Sequence, residues 1–503
     1  MQIAVNILTN MLVILLNLAF NLYITPLYIN KLGLGVYGYV GVITNFISFL
    51  SVMTIVLNSM VGRFYAVSIN QNRREEANQY ISTAFYVGLG LDVLLLPFLA
   101  LIALHLESFI IVSPSYLGDV RIAFILTAVA FLINVISLVN MTGAYALNRL
   151  DINNIIRLVM IGIRFAVIMF LFYTFQAKVY FLGISLVLEN LFSAVVTYIT
   201  FKRLVPDLKY NICFFSKEKM FDLLSSGFFN AIVLLGDLLM SQVMLIVANH
   251  TIPAEEVGVL GSFIVILNGL KSLAGAISSA FSPTTLMYYA KSAFDQLMDN
   301  SLAAVVIIGS VVGWVVSIFC IMDIRFFHLW LGKDFSQYHF AILFLILPLI
   351  SILTTSQFHV ILQALNKLVP YSFATIMCGI ISIAAMYLLG SYFGWGMLGI
   401  IIGCNLMAFI QHIFVLPHFV HNYLQRSMKK LYAAIFFIQA YGAIFYLVAN
   451  KANTLFPSGG LIVFLLEGIV LSFLYWGILI AIIPGRYRRK MYLAASPLIS
   501  RFK

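Results

Sequence analysis

Six ionisable side chains, Asp92, Arg164, Glu189, Asp237, Lys271 and Glu467, lie inside long apolar stretches. A charge at the centre of a bilayer costs about 2.5–3.5 kcal/mol on insertion scales, and such residues mark ion, proton or substrate paths. Arg157 precedes Arg164 by seven residues, which places both on one helix face about 10.5 Å apart. Two guanidiniums in line suit a diphosphate, because the planar fork matches phosphate oxygens. The other role open to Arg157 is an anchor at the membrane edge, and Arg63, in "GRF", has the same two readings. At 1.5 Å of rise per residue, Arg164 sits about 12 Å and Glu189 about 16 Å from their cytoplasmic helix ends, so they can pair. Asp237 and Lys271 differ by about 6 Å in depth and are also within side-chain reach. Asn268 precedes Lys271 by three residues and shares its face. Asp92, Glu189 and Asp237 are the candidates for a proton or Na⁺ site.

A second polar feature is an asparagine stripe. "NILTNMLVILLNLAFN" (6–21) carries Asn6, Asn10, Asn17 and Asn21. At about 100° per residue they fall within roughly 60° of one another. "SGFFNAIVLLGDLLMS" (226–241) repeats the stripe, with Ser226, Asn230, Asp237 and Ser241 each 220 residues after their counterparts. Gly38 and Gly258 share that offset, and "ALNRL" (146–150) recurs as "ALNKL" (364–368), offset by 218. The matched faces fit a shared cavity lined by Asn10, Asn17, Asn21, Asn230 and Asp237. The bland alternative is that the amides knit helices together, each bond contributing about 0.5–2 kcal/mol.

The elements that position these residues are membrane helices. The chain has 503 residues, 62% hydrophobic and 9% charged, with mean hydropathy +1.04. A span needs about 20 apolar residues. Fourteen are expected, near 4–29, 36–61, 79–103, 120–145, 156–175, 179–200, 223–248, 256–281, 301–321, 339–361, 370–390, 396–416, 431–450 and 459–483. The fold class expected is an all-α polytopic membrane protein, with no soluble domain and no cleaved signal peptide. With the N-terminus inside, the cytoplasmic loops and tail hold 21 of the 29 Lys and Arg, the outer loops six and the spans two. That bias places both termini in the cytoplasm, with "GRYRRK" (485–490) beside the membrane. The basic tail suits anionic membrane lipid as well as positive-inside anchoring.

The repeat implies two parallel six-helix bundles, 1–205 and 206–425, with helices 13 and 14 and the tail appended (426–503). Transporters built from such repeats place the substrate path between the halves. "LGLGVYGYVGVI" (32–43), "LNSMVGRFYAVSINQN" (57–72) and "WLGKDF" (330–335) resemble the polysaccharide-transporter branch of the MOP superfamily. That branch contains the Wzx-type flippases, with the lipid II flippase and the MATE exporters as relatives. The resemblance implies a central cavity, alternating access and an undecaprenyl-diphosphate-linked saccharide cargo in a bacterial plasma (inner) membrane. The cargo could be a capsule, exopolysaccharide or teichoic acid unit. Arg164 and Lys271, one base in each half, are then the candidates to meet the diphosphate.

The four acids and two bases within the spans depart from the cation-rich cavity that the resemblance implies. Either protonated acids serve an ion cycle, or the headgroup carries positive charge, as an amino sugar or a choline-bearing teichoic acid unit does. The rival reading is a MATE-like ion-coupled exporter of small cationic compounds, but that group usually stops at twelve spans.

No GxxxxGK[ST] loop or nucleotide domain is present, so ATP does not drive the chain directly. No basic domain exists to bind nucleic acid. The eight histidines and four cysteines show no metal or redox spacing, and no cofactor is implied. The outer loops expected near 104–119 and 322–338 are short and lack a nucleophile or paired-carboxylate motif, which argues against an enzyme.

Overall fold

The computed structural model describes residues 2–453 and 460–488, apart from 72, 148, 207, 209, 366, 484, 486 and 487. Some helical side chains, Arg63 and Ser226 among them, also lie outside the described set. Among the described residues all regular structure is helical. That is how a chain without water partners closes its backbone hydrogen bonds locally. Fourteen helices are long and apolar enough to cross a membrane. In chain order these spans are Leu8–Leu32, Leu34–Thr54, Arg74–Leu104, Leu117–Tyr145, Leu150–Thr174, Phe181–Leu204 and Gly227–Thr251, followed by Ala254–Ser279, Phe294–Leu331, Ser336–Gln363, Val369–Tyr392, Gly396–Leu424, Lys429–Lys451 and Leu461–Ile482.

The expected number of spans is present, but several ends move. The ninth helix does not stop at 321. It runs from Phe294 to Leu331 and ends at Gly332, whose φ of 67° closes the helix in the left-handed region. Asp323 and Arg325, expected in a loop, are therefore helical; Arg325 pairs with Glu467, and Asp323 lies against the His339 ring. The loop expected over 282–300 shrinks to 291–293, between helices Ala254–Ala290 and Phe294–Leu331. The twelfth span continues past 416 to Leu424 through a π-helical turn at Gln411–Val415.

The internal repeat is visible in backbone detail. Helices Leu34–Asn70 and Ala254–Ala290 are both 37 residues long, with both ends displaced by 220. At the turns that follow, Arg73 N–H donates to Ser68 O and Ala293 N–H to Tyr288 O, both at 2.9 Å. At "ALNRL" and "ALNKL", Arg149 N–H donates to Ala144 O at 2.8 Å and Lys367 N–H to Leu362 O at 3.1 Å. Equivalent positions thus form equivalent turns in both halves.

The chain divides into two units, Met1–Val265 and Ile266–Lys503. In the first, loops gather at alternate ends. At one end Val205, Leu208 and Tyr210 pack with Val61, Tyr65, Ala77, Tyr80, Ile81, Val139, Phe201 and Leu223, the last eight all buried. At the other, Asn249 accepts from Ile111 N–H at 2.8 Å and returns its amide to Ile111 O at 3.0 Å. The repeat-equivalent Gly38 and Gly258 touch: a Cβ on Gly258 would lie 2.0 Å from Leu34 O. Backbone meets backbone there, which leaves no room for a side chain.

In the second unit the 38-residue ninth helix packs along the thirteenth span. The tenth span is broken into His339–Ile346, Leu349–Thr354 and Ser356–Ala364. Pro348 starts the middle piece, where its missing N–H interrupts the helical ladder. The eleventh and twelfth spans approach so closely at Gly403 that a Cβ would meet Met386 N at 2.6 Å.

Candidate functional site

In the first unit Arg164 makes one ionic and one aromatic contact. The fifth helix, Leu150–Thr174, turns it toward the first and sixth. Its Nε lies 3.8 Å from Glu189 Oε2, and its Cζ stands 4.8 Å from the centroid of the Phe20 ring. The two side chains are 23% and 13% exposed, so the pair is largely shielded. Neither Arg164 Nε nor Glu189 Oε2 has a hydrogen-bond partner. The pair is therefore held by charge and aromatic contact rather than by a closed bidentate bond. Such a contact leaves guanidinium valence to offer an anion. Asn190, next to Glu189 in the chain, accepts through Oδ1 from Asn134 Nδ2 at 2.8 Å, joining the sixth and fourth helices. Asp92, on the third helix, has a buried Oδ1 without a hydrogen-bond partner.

The asparagine stripe divides along its length. Asn6 Oδ1 accepts from Asp151 N–H at 2.9 Å, and Asn154 Nδ2 donates to Asn6 O at 3.3 Å and to Thr9 Oγ1 at 3.0 Å. This end of the stripe fastens the first helix to the fifth. Farther along, Asn10 is half-buried and Asn17 exposed. Asn21 Nδ2 turns back along its own helix to Asn17 O at 2.8 Å. On the seventh helix Asn230 and Asp237 are half-buried, and Asp237 O accepts from Ser241 Oγ at 2.8 Å. Arg157 is exposed, and the Arg63 side chain lies outside the described residues. Outside the spans, Lys219 links Glu76, Glu218 and Asp222 at 3.4 to 3.9 Å and faces the Tyr80 ring. Partial desolvation works against its charge, but Tyr80, Glu218 and Glu76 outweigh that and raise its pKa.

In the second unit, Lys271 is half-buried and Asn268 exposed on the eighth helix. Lys271 acts electrostatically on Cys404 and His412 of the twelfth span. His412 lies within that span, its Nδ1 at 3.0 Å from Thr355 Oγ1 of the broken tenth. Gln411 Nε2 donates to Tyr371 OH and Ser278 Oγ to Gln357 Oε1, both at 3.0 Å. Sequence reasoning missed two polar contacts here. Arg325 Nη1 donates to Glu467 Oε2 at 2.5 Å, and His339 Nδ1 meets Asp323 Oδ2 at 2.7 Å. The signal was present: "DIR" (323–325) lies between an apolar helix and the glycine that ends it.

Among known proteins, no family model matches this chain. The chain is 26% identical over 444 residues to the "Uncharacterized membrane protein EpsK" of Bacillus subtilis (strain 168), covering 87% of this chain and 88% of that one. Its structure is similar to that of the lipid II flippase MurJ in an inward closed conformation. The TM-score is 0.66 at 12% identity, with 94% of this chain and 97% of MurJ covered. It is also similar to an inward-facing multidrug resistance MATE family transporter of the MOP superfamily, with a TM-score of 0.64 at 15% identity. There the match covers 84% of this chain and 98% of the other. The fold is MATE- and MurJ-like, in a multi-pass membrane protein.

Proposed function

We propose that the chain is a flippase that moves an undecaprenyl-diphosphate-linked oligosaccharide or cell-wall polymer precursor from the cytoplasmic to the outer leaflet by alternating access. The observation that carries this reading is the fourteen-span plan. The lipid II flippase overlays 94% of the chain, whereas the multidrug transporter overlays 84%. The longer overlay supports grouping the appended pair with the lipid transporter, and the repeat-based division into 1–205, 206–425 and 426–503 is part of the same proposal.

A diphosphate cannot shed its water into a low-dielectric core without counter-charge. Arg164 and Lys271, one from each repeat, supply it. Asn10, Asn17, Asn21, Asn230 and Asn268 offer amides to sugar hydroxyls, and Arg63 and Arg157 receive the headgroup at the cytoplasmic entrance. Asp92, Glu189 and Asp237 exchange a proton or Na⁺. The paired acids weaken the case for a cationic cargo, because Glu189 lies against Arg164 and Glu467 against Arg325.

The test is reconstitution of the purified chain into liposomes holding a fluorescent undecaprenyl-diphosphate-linked saccharide. Leaflet exchange is read by an impermeant quencher. Exchange well above that in protein-free liposomes is expected. Uptake of ethidium-like cations against an ion gradient, with no lipid exchange, would establish the exporter reading instead.

A further inference from the structure

The second unit contains a hydrogen-bonded chain that the transport reading does not use. Asp323, on the ninth span, is 1% exposed at its side chain. One of its oxygens accepts from Ile324 N–H at 2.8 Å, and the other lies 2.7 Å from His339 Nδ1. His339, 19% exposed, opens the tenth span beside the 332–338 connection. Its Nε2 lies 3.1 Å from Tyr446 OH on the thirteenth span, and Asn450 Nδ2 donates to that hydroxyl at 3.4 Å. Three spans thus meet through one imidazole.

We infer that Asp323, His339 and Tyr446 form a proton-binding site whose occupancy sets how the thirteenth span attaches to the ninth and tenth. The ligand is a proton rather than a metal cation. Na⁺ wants several oxygens, yet both Asp323 oxygens are already engaged and the next donor is a ring nitrogen. His339 is the partly exposed member, so water reaches the buried carboxylate by way of the imidazole.

Protonation changes the bonding pattern. With neutral His339 carrying its proton on Nδ1, the chain runs Asn450 to Tyr446 to Nε2, and Nδ1–H donates to Asp323. Adding a proton turns Nε2 from acceptor to donor. Two donors then aim at one phenolic oxygen, and the Tyr446 hydroxyl hydrogen loses its acceptor. The Tyr446 hydroxyl must turn its hydrogen to another acceptor or give up the contact, which changes how the thirteenth span is held, while the imidazolium binds Asp323 more tightly. A static ion pair is a poor stabiliser inside a membrane, since hydrophobic replacement of such pairs is often neutral or better.

The surrounding charges leave this proton to the chain itself. Among the described residues, the ninth span also presents Cys320, which interacts electrostatically with Asp323 and Tyr446. Arg325 is engaged with Glu467 of the fourteenth span. The twelfth span gives Asn405 Nδ2 to the carbonyls of Phe344 and Leu345, at 2.6 and 2.9 Å.

The inference does not require transport to be driven by protons, so it stands or falls apart from the flippase reading. Full-length protein with ¹⁵N-histidine is placed in lipid nanodiscs, and the His339 signal is assigned by its loss in H339Q. From about pH 5 to 9 this signal is expected to move between acceptor and protonated forms. D323N should weaken proton binding at least tenfold, because the neighbouring carboxylate favours the charged ring. In a variant with the four native cysteines replaced by alanine, spin labels at Phe344 and Leu447, both lipid-exposed, report the spacing of the tenth and thirteenth spans. That distance should shift with pH in the parent and stay fixed in Y446F. A His339 signal frozen over the whole range would overturn the site. A pH-invariant distance in the parent would overturn the link to the thirteenth span.

Discussion

Arg164 stands between two roles, and its geometry separates them. As a partner of Glu189 it neutralises a shielded acid at 3.8 Å. As a cargo ligand it meets a diphosphate. Removing one member of a buried pair costs about 3–5 kcal/mol, because the other is left uncompensated. With 23% and 13% exposure the lower end of that range applies, about 3 kcal/mol. We expect R164Q to lower the thermal midpoint in detergent and to abolish leaflet exchange of the lipid-linked saccharide. R164Q/E189Q should recover the midpoint without recovering exchange. Recovery of both would reduce Arg164 to a neutralising partner. K271A and K271Q should each stop exchange at normal abundance in the membrane. Rescue of K271A by D237N would point instead to mutual neutralisation of those two residues. The Arg164–Glu189 approach was legible in the sequence, because depth along a helix follows from a fixed rise. The Arg325–Glu467 bond was not. Two charges in three residues look like the end of an apolar run, which puts Arg325 in a loop on hydropathy alone; only the partner on the fourteenth span offsets that cost.

Helix packing carries the second expectation. Gly258 and Gly275 lie on one helix, Ala254–Ala290, in opposite circumstances. A Cβ at 258 would lie 2.0 Å from Leu34 O, whereas at 275 nothing stands within 4 Å. Overpacking in a tight site costs about 1–3 kcal/mol, and here the obstacle is backbone, which cannot rotate away. Alanine in an open helical site gains about 0.5–1 kcal/mol over glycine. We therefore expect G258A to lower the thermal midpoint and G275A to leave it unchanged or raise it. Equal effects would mean that the second and eighth helices do not cross at Gly258. At this scale the sequence was informative, since a bilayer sets a length of about 20 apolar residues and the repeat marks the same turns twice. It was least informative at the helix ends. Beyond the hydrocarbon, helices such as Phe294–Leu331 continue on packing and on a glycine cap rather than on hydropathy.

Orientation is a property of the whole chain and follows from charge rather than packing. The described loops of the first unit alternate between two ends, with Asn6 held to Asp151 at one and Ile111 to Asn249 at the other. Which end faces the cytoplasm rests on the Lys and Arg bias, 21 against six. Ser115, exposed in the connection between the third and fourth spans, then lies outside the cell. After replacement of Cys213, Cys320, Cys378 and Cys404, S115C should react with a membrane-impermeant maleimide in intact cells. A cysteine appended after Lys503 should react only once the membrane is opened. Labelling of the appended cysteine alone would invert the orientation and place Arg63 and Arg157 at the outer entrance, where a cytoplasmic lipid diphosphate could not meet them first. Labelling of both positions in intact cells would break the even number of crossings and with it the fourteen-span plan. Protection of the terminus with labelling of Ser115→Cys sets the direction of travel that a flippase loading from the cytoplasm requires. It also puts the Asp323–His339 contact, which joins the ninth and tenth spans beside their connection, toward the outer side.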